Sequence, residues 1–348
     1  MQYAESYINS LTFIQGAVPN RDKLRGSSIL ITGGGGLICS AIADFLLNLN
    51  DTEHYNIHVY VTDRSMEHTM KRYGDWVARQ DLTILEQDII NPLPGELQFD
   101  FIIHGASNAS PAAFASEPVE VMLANFVGMK NVLEYAKGHC VKSVLYISSS
   151  EVYGEKQNAD PYDESTYYMV DILNPRACYP SSKRAAETLC AAYAKEYDVH
   201  TVIVRPGHIY GPAPNPKDNR AASQFARDAV AGRDIVMKST GQQLRSYTYV
   251  LDCVTAIVTV LLNGNSGEAY NISNPDSVVT IRQLAECMAE VGGVKVVFDC
   301  PNEIERTSYN LMSNSALTSD KIVSLGWKGY FSLKDGVKAT LESMLSME

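Results

Sequence analysis

The chain has 348 residues, 45% hydrophobic and 20% charged, enough for one large domain or two coupled ones around a packed core. A formal net charge of −11 argues against a broad nucleic-acid surface, while leaving room for a small basic pocket that takes an anion. No stretch reaches the ~18 uninterrupted apolar residues of a membrane span and the first 26 residues lack the pattern of a secretory signal, so the expectation is a cytoplasmic protein without membrane contact.

Residues 1–26 read as an N-terminal helical extension. SSILIT (27–32) then reads as a buried strand, with LICSAIADFLLNLN as the helix after it. HVYVTD (58–63), LTILEQD (82–88) and FDFIIHGA (99–106) are the next three strands. The helix VEVMLANFVGMKNVLEYAKG leads to the strand SVLYISSS (143–150), and SSKRAAETLCAAYAKEYD leads to HTVIVRPG (200–207). Strands alternating with helices predict an α/β fold, a doubly wound parallel sheet of Rossmann type over 27–206. Residues 207–348 are expected to form a smaller mixed α/β lobe for substrate, with segments returning to the first domain. The seven cysteines include no Cys-x-x-Cys pair and the seven histidines show no ligand spacing, which predicts reduced thiols and no metal site.

Four glycines stand between the first strand and its helix. Gly33 and Gly36 permit a tight turn and close approach to a pyrophosphate, which the unpaired N–H groups of the helix N-terminus attract. Cys39 occupies the place where a third glycine is usual; it is small enough for the same close packing. Asp63 ends the second strand, where an acid can bond both ribose hydroxyls and repel a 2′-phosphate. That favours NAD over NADP, although Arg64 beside it keeps NADP open. Asp88, ending the third strand, is placed to face the adenine.

The apolar run Val144–Ile147 leads into SSSEVYG (148–154), three hydroxyls followed by Glu151. About thirty residues on comes CYPSSKRAAE, in which Tyr179 and Lys183 lie four apart and so share a helix face. A lysine ammonium near a phenol is expected to lower its pKa from ~10 toward neutrality. Such a tyrosine can take a proton from an alcohol while hydride leaves the same carbon, with Ser149 holding the alcohol. A second Tyr-x-x-x-Lys, Tyr330 to Lys334, has no serine-ended strand before it and reads as chance.

Together these residues resemble the extended short-chain dehydrogenase/reductase family, the NAD-dependent sugar-nucleotide epimerases and dehydratases. HGAS (104–107), NFVGMKNVLE (125–134), RPGHIYGP (205–212), RSYTYVLD (245–252) and LGW (325–327) continue the resemblance to the C-terminus. It implies NAD as cofactor, a nucleotide-diphosphate sugar as substrate and a homodimer built on helices. It further implies cofactor contacts from Leu37, Ile38, Ile89, Ala106, Ser107, Asn125 and Pro206, and substrate contacts from Ser110, Ser149, His208, Arg245 and Arg306.

Within that family, Ser149-Ser150-Glu151 is similar to the Thr-Ser-Glu of UDP-glucuronate decarboxylases and GDP-mannose dehydratases, with the hydroxyl kept at the first position. HGASNASP and LRSYTYV also look like the decarboxylases' segments, which places Arg245 near the substrate. The expected activity is decarboxylase-like, through a 4-keto sugar, with Tyr179, Lys183, Ser149, Ser150 and Glu151 carrying the chemistry. A 4-epimerase or 4,6-dehydratase is the alternative on the same scaffold, and a non-catalytic dinucleotide-binding regulator is the alternative of another class. His208 replaces the asparagine of many relatives, which bears on which sugar is preferred.

Overall fold

The structure is a computed structural model that describes residues 4–156, 160–212, 218–299 and 314–346. The chain opens with α1 (Glu5–Phe13) and two short turns of 3-10 helix, then enters β1 (Ser28–Thr32) and α2 (Leu37–Glu53). β2 (His58–Asp63), α3 (Met66–Tyr73), β3 (Leu82–Glu86) and β4 (Phe101–His104) follow, then α4 (Pro111–Ser116), α5 (Pro118–Gly138) and β5 (Ser143–Ile147). α6 (Cys178–Tyr197) leads to β6 (Thr201–Pro206), β7 (His208–Tyr210), α7 (Ala221–Val230), β8 (Ile235–Met237) and β9 (Leu244–Tyr249). α8 (Val250–Asn263), β10 (Glu268–Ile272), β11 (Val278–Thr280), α9 (Ile281–Gly292) and β12 (Val296–Phe298) come next. β13 (Asn314–Ser315), α10 (Asp320–Val323) and α11 (Leu333–Leu345) complete the described elements.

Seven strands form one sheet in the order β10-β6-β5-β4-β1-β2-β3, with every neighbouring pair parallel. Strands covered on both faces must be apolar throughout, and β4 and β5 are buried at every position. One face packs on α5 and α6, where Met129, Val132, Leu133 and Ala186 meet Ile102, Val144 and Tyr146. The other face packs on α2 and α8. In α8 the 13 residues from Val250 to Leu262 are all buried, and its one polar row, Asp252, Thr255 and Thr259, is buried too, with Asp252 accepting from Asn274 and from the Tyr330 and Phe331 N–H groups. The order reverses between β1 and β4, so the loops leaving those two strands open a crevice at the carboxyl edge of the sheet. A smaller group, β9 with β7, β11 and β13, lies beyond that edge. No described helix is long and apolar enough to cross a membrane.

Four strands end earlier than the sequence suggests, β6 by one residue, at Pro206. β5 stops at Ile147 rather than Ser150, because the Ser149 hydroxyl accepts the Glu151 N–H (3.2 Å) and starts a 3-10 turn over Ser150–Tyr153. β4 stops at His104 and β3 at Glu86. Conversely α6 starts at Cys178, three residues sooner than the sequence suggests, which puts Tyr179 inside its first turn.

The N-terminal extension packs on α2 and α11, away from the carboxyl-edge crevice. Tyr7 donates to the buried Asp44 of α2 (2.9 Å), Gln15 donates to Asn48 (2.7 Å), and the Phe13 ring meets those of Tyr330 and Phe331 edge-on.

Candidate active site

The glycine loop follows from what the backbone must do there. Gly33 sits at φ +74°, where a Cβ would lie 2.8 Å from the Ala106 Cα, so any side chain would collide with the HGAS segment. Its N–H and that of Gly34 both donate to the Thr62 carbonyl, at 2.8 and 2.9 Å, which ties the loop to β2. A side chain at Gly105 would collide with the Cys39 thiol, so the close packing expected from a third loop glycine is shared between a small cysteine and a glycine across from it.

A cavity of about 510 Å³ opens above this loop. Gly33, Gly36, Leu37, Ile38, Asp63, Arg64, Asp88, Ile89, Ala106 and Ser107 all line it. Asp63 accepts the Gly35 N–H (3.1 Å) with one carboxylate oxygen and the Ser65 N–H (3.2 Å) with the other. The buried hydroxyl of Ser107 has no partner among the described residues. A bare glycine cradle, an acid at the end of β2 and an unpartnered donor inside the cavity fit the pyrophosphate and ribose of a dinucleotide. Asn125 is the exception among the helix residues: it is fully buried and bonds Ser182 (3.0 Å), joining α5 to α6 rather than lining the cavity. Pro206 also lies off the lining, ending β6 beside Ile272.

Tyr179 and Lys183 are both buried on α6 beside the carboxyl end of β5. Lys183 Nζ donates to the Ile147 carbonyl (2.8 Å) and lies 5.6 Å from the Tyr179 ring centre. Their electrostatics differ from the sequence expectation. Burial pushes the Tyr179 phenol up to about 12, and Glu151 adds to the rise; Ser149, Arg220 and Arg176 pull it back. Burial also lowers Lys183 to about 7, against the opposing charge of Glu187 one turn on. The reason is that an apolar helix–sheet interface penalises both ions, so a lysine stripped of water cannot by itself make a phenolate.

Glu151 is held by a residue the sequence reading missed. Arg176 Nη1 and Nη2 donate to its two carboxylate oxygens at 3.0 and 3.3 Å. The guanidinium also lies over the Phe114 ring, 4.7 Å from its centre, and Phe114 stacks on Tyr179 at 4.6 Å and 21°. The local sequence explains this placement: Asn174 caps the short turn at Pro175–Ala177, accepting the Arg176 N–H (3.0 Å), and that turn runs straight into α6. Arginine three residues before Tyr179 was the available signal.

On the substrate side, His208 on β7 stands in register with Tyr247, two residues from Arg245 on the adjacent β9. Burial holds His208 down at about 3, and Arg245 and Arg220 push it the same way, so the ring is neutral; its Nδ1 has no partner among the described residues. Arg245 is buried, and Arg220, a second residue the sequence reading missed, lines the cavity and is forked on Asp218. Ser110 precedes α4, beneath Phe114. Arg306 lies outside the described residues. Of the second Tyr-x-x-x-Lys, Tyr330 N–H donates to Asp252 (2.8 Å) and Lys334 pairs with Glu290 (2.7 Å), neither near this cavity. Another cavity, of about 560 Å³, lies against β6 and β10, where Arg205 and Glu187 satisfy each other (3.0 and 2.7 Å).

The glycine cradle, the β1–β4 crevice and the Tyr–Lys pair converge with a comparison of sequences: the NAD dependent epimerase/dehydratase family matches residues 29–273. The chain belongs to this family. Among curated members, UDP-glucuronic acid decarboxylase 1 of Xenopus tropicalis is 30% identical over 316 residues, covering 90% of this chain and 71% of that protein. UDP-glucuronic acid decarboxylase 3 of Arabidopsis thaliana is 30% identical over 313 residues, covering 89% and 86%. Among solved structures, UDP-glucuronic acid 4-epimerase from Bacillus cereus, in complex with UDP-glucuronic acid and NAD, superposes with a TM-score of 0.78 at 22% identity, covering 92% of this chain and 100% of that one. dTDP-glucose 4,6-dehydratase from Bacillus anthracis, in complex with NAD, gives 0.74 at 20% identity, covering 91% and 96%. As an NAD-dependent epimerase/dehydratase family member, the chain takes NAD as its cofactor.

Proposed function

We propose that this protein is a sugar-nucleotide decarboxylase acting on a nucleotide-diphosphate hexuronate of the UDP-glucuronate type. The observation that carries the reading is the grouping of Tyr179, Lys183 and Ser149 at the end of β5 with the Glu151–Arg176 pair beside them. Ser149 orients the sugar 4-hydroxyl, and Tyr179 accepts its proton while the C4 hydrogen leaves with its electron pair. NAD, when bound, supplies the acceptor for that hydride and a positive charge next to the phenol. The charge matters here, because the chain's own groups leave the phenol protonated at neutral pH.

The resulting C4 ketone makes the C6 carboxylate a β-keto acid, so breaking the C5–C6 bond releases CO₂ and leaves its electron pair on the enolate. Glu151 and Ser150 are placed to orient the carboxylate and to manage the proton that C5 then needs. Arg245 and Arg220 offer charge-assisted bonds to the diphosphate or carboxylate, with neutral His208 as a further donor between them.

The test is mass spectrometry of the products formed from UDP-glucuronate and NAD. Loss of CO₂ supports the reading. An unaltered substrate overturns the choice of sugar, water lost from a hexose nucleotide would make the protein a dehydratase, and an isomer of equal mass an epimerase.

We infer that the working form is a homodimer. Val119, Met122 and Phe126 fall on one face of α5, each at least 42% exposed, an apolar stripe that a second copy of the chain would cover. Phe126→Glu should yield monomers in analytical ultracentrifugation; an unchanged sedimentation coefficient refutes this use of α5.

A further inference from the structure

Glu151 raises a problem that the proposed reaction does not solve by itself. A carboxylate of the protein must lie beside a sugar that carries its own carboxylate, and two anions at close range in a half-buried cleft repel. The Glu151 side chain is 32% exposed, so water alone does not remove that repulsion.

Arg176 answers it by geometry. Its fork takes both Glu151 oxygens, at 3.0 and 3.3 Å, which fixes the plane of the carboxylate and cancels its charge. Each carboxylate oxygen retains a further lone pair, so the pinned group can still accept a proton. The Arg176 side chain is 44% exposed; its guanidinium gains a second contact over the Phe114 ring at 4.7 Å, and Phe114 is stacked on Tyr179. Phe114 also belongs to a small buried cluster with Ala113, Val121 and Cys178. One arginine therefore links the acid on the turn after β5, the ring from α4 and the tyrosine in the first turn of α6. A lysine could neutralise Glu151 but could neither fork on it nor lie flat on the ring.

We propose that Arg176 is a positioning residue for the step after oxidation and a determinant of specificity for acidic sugars: it orients Glu151 and neutralises it, so that a hexuronate nucleotide is accepted alongside. The inference rests on the decarboxylase reading and adds to it a residue that acts through Glu151. A neutral hexose nucleotide gains nothing from this cancellation, so Arg176 should favour UDP-glucuronate over UDP-glucose in binding.

The test compares wild type, Arg176→Gln, Glu151→Gln and the double variant in single turnovers with UDP-glucuronate and NAD. Absorbance at 340 nm follows the oxidation and released CO₂ follows the later step; calorimetry gives the affinities for UDP-glucuronate and UDP-glucose. Arg176→Gln is expected to keep the 340 nm rise and to slow CO₂ release about tenfold or more, and to narrow the preference for UDP-glucuronate by a similar factor. In the Glu151→Gln background the same change should cost little, because the residue it acts through is already neutral. Arg176→Lys, which preserves charge without the fork, should recover the preference for UDP-glucuronate but not the rate of CO₂ release. It also serves as the control for folding.

Equal losses from Arg176→Gln in both backgrounds, in a wild type that releases CO₂, would overturn the inference and leave the decarboxylase reading intact. A wild type that releases no CO₂ from UDP-glucuronate would overturn the reading, and this inference with it.

Discussion

Lys183 should destabilise the fold that holds it, and the sign of that effect should reverse with pH. The residue is 2% exposed and its pKa falls from 10.5 to about 7 because burial penalises the charge. At about 1.4 kcal/mol per pH unit, the folded protein pays about 5 kcal/mol to carry the proton below pH 7. Between the folded and unfolded values the unfolded chain holds the proton and the folded one does not, so stability rises with pH through that window and levels off near 10.5. Lys183→Met removes the charge but leaves the Ile147 carbonyl without its donor, a loss of about 1–3 kcal/mol. The cofactor-free variant should therefore be more stable than wild type by about 2–4 kcal/mol at pH 6, and less stable by about 1–3 kcal/mol near pH 10.5. Urea unfolding of both proteins at the two pH values reads the gap directly. A variant that is less stable at pH 6, or a gap that does not change with pH, would refute the electrostatic account.

Tyr179→Phe should bind NAD within about twofold of wild type, since a buried ring is retained, and show no 340 nm rise with any sugar nucleotide. A retained rise would remove Tyr179 from the proton transfer. Gly33→Ala forces a methyl group against Ala106 at φ +74°, a conformational cost of about 1–2 kcal/mol before any clash. Calorimetry should show NAD affinity reduced at least about tenfold. Asp44→Asn breaks the ion pair with Arg72 (2.6 Å, the acid fully buried) and should destabilise the fold by about 3–5 kcal/mol in urea unfolding. A change below about 1 kcal/mol would show that Tyr7 and Ser40 suffice to hold this corner.

The sheet was legible because its strands and helices alternate in short runs with the right periods. Of the ten cavity-lining residues, Gly33, Gly36, Asp63, Arg64 and Asp88 were legible from the ends of strands, while Leu37, Ile38, Ile89, Ala106 and Ser107 came only with the family resemblance. Arg176 and Arg220 were not. Each lies in an irregular stretch whose path depends on contacts distant in sequence: the side chain of Arg176 is placed by Phe114, 62 positions away, and Arg220 lies at the edge of a loop with no period. The direction of the Tyr179 shift was also out of reach, since spacing on a helix gives proximity to Lys183 but not the dryness of the interface. Asn125 shows a related limit: its helix position was legible, but only packing shows that its amide nitrogen bonds Ser182.

The N-terminal extension bears on how the protein is made. Its Phe13 ring rests on Tyr330 and Phe331, about 320 residues further along. At about 5–20 residues per second, that partner surface leaves the ribosome roughly 15–60 s after α1 does. Throughout that interval the apolar side of α1 packs on α2 without its contacts to α11. The seam thus stays open to aggregation and chaperone capture through most of synthesis, and mutations there should lower yield in cells more than they lower stability in the finished protein.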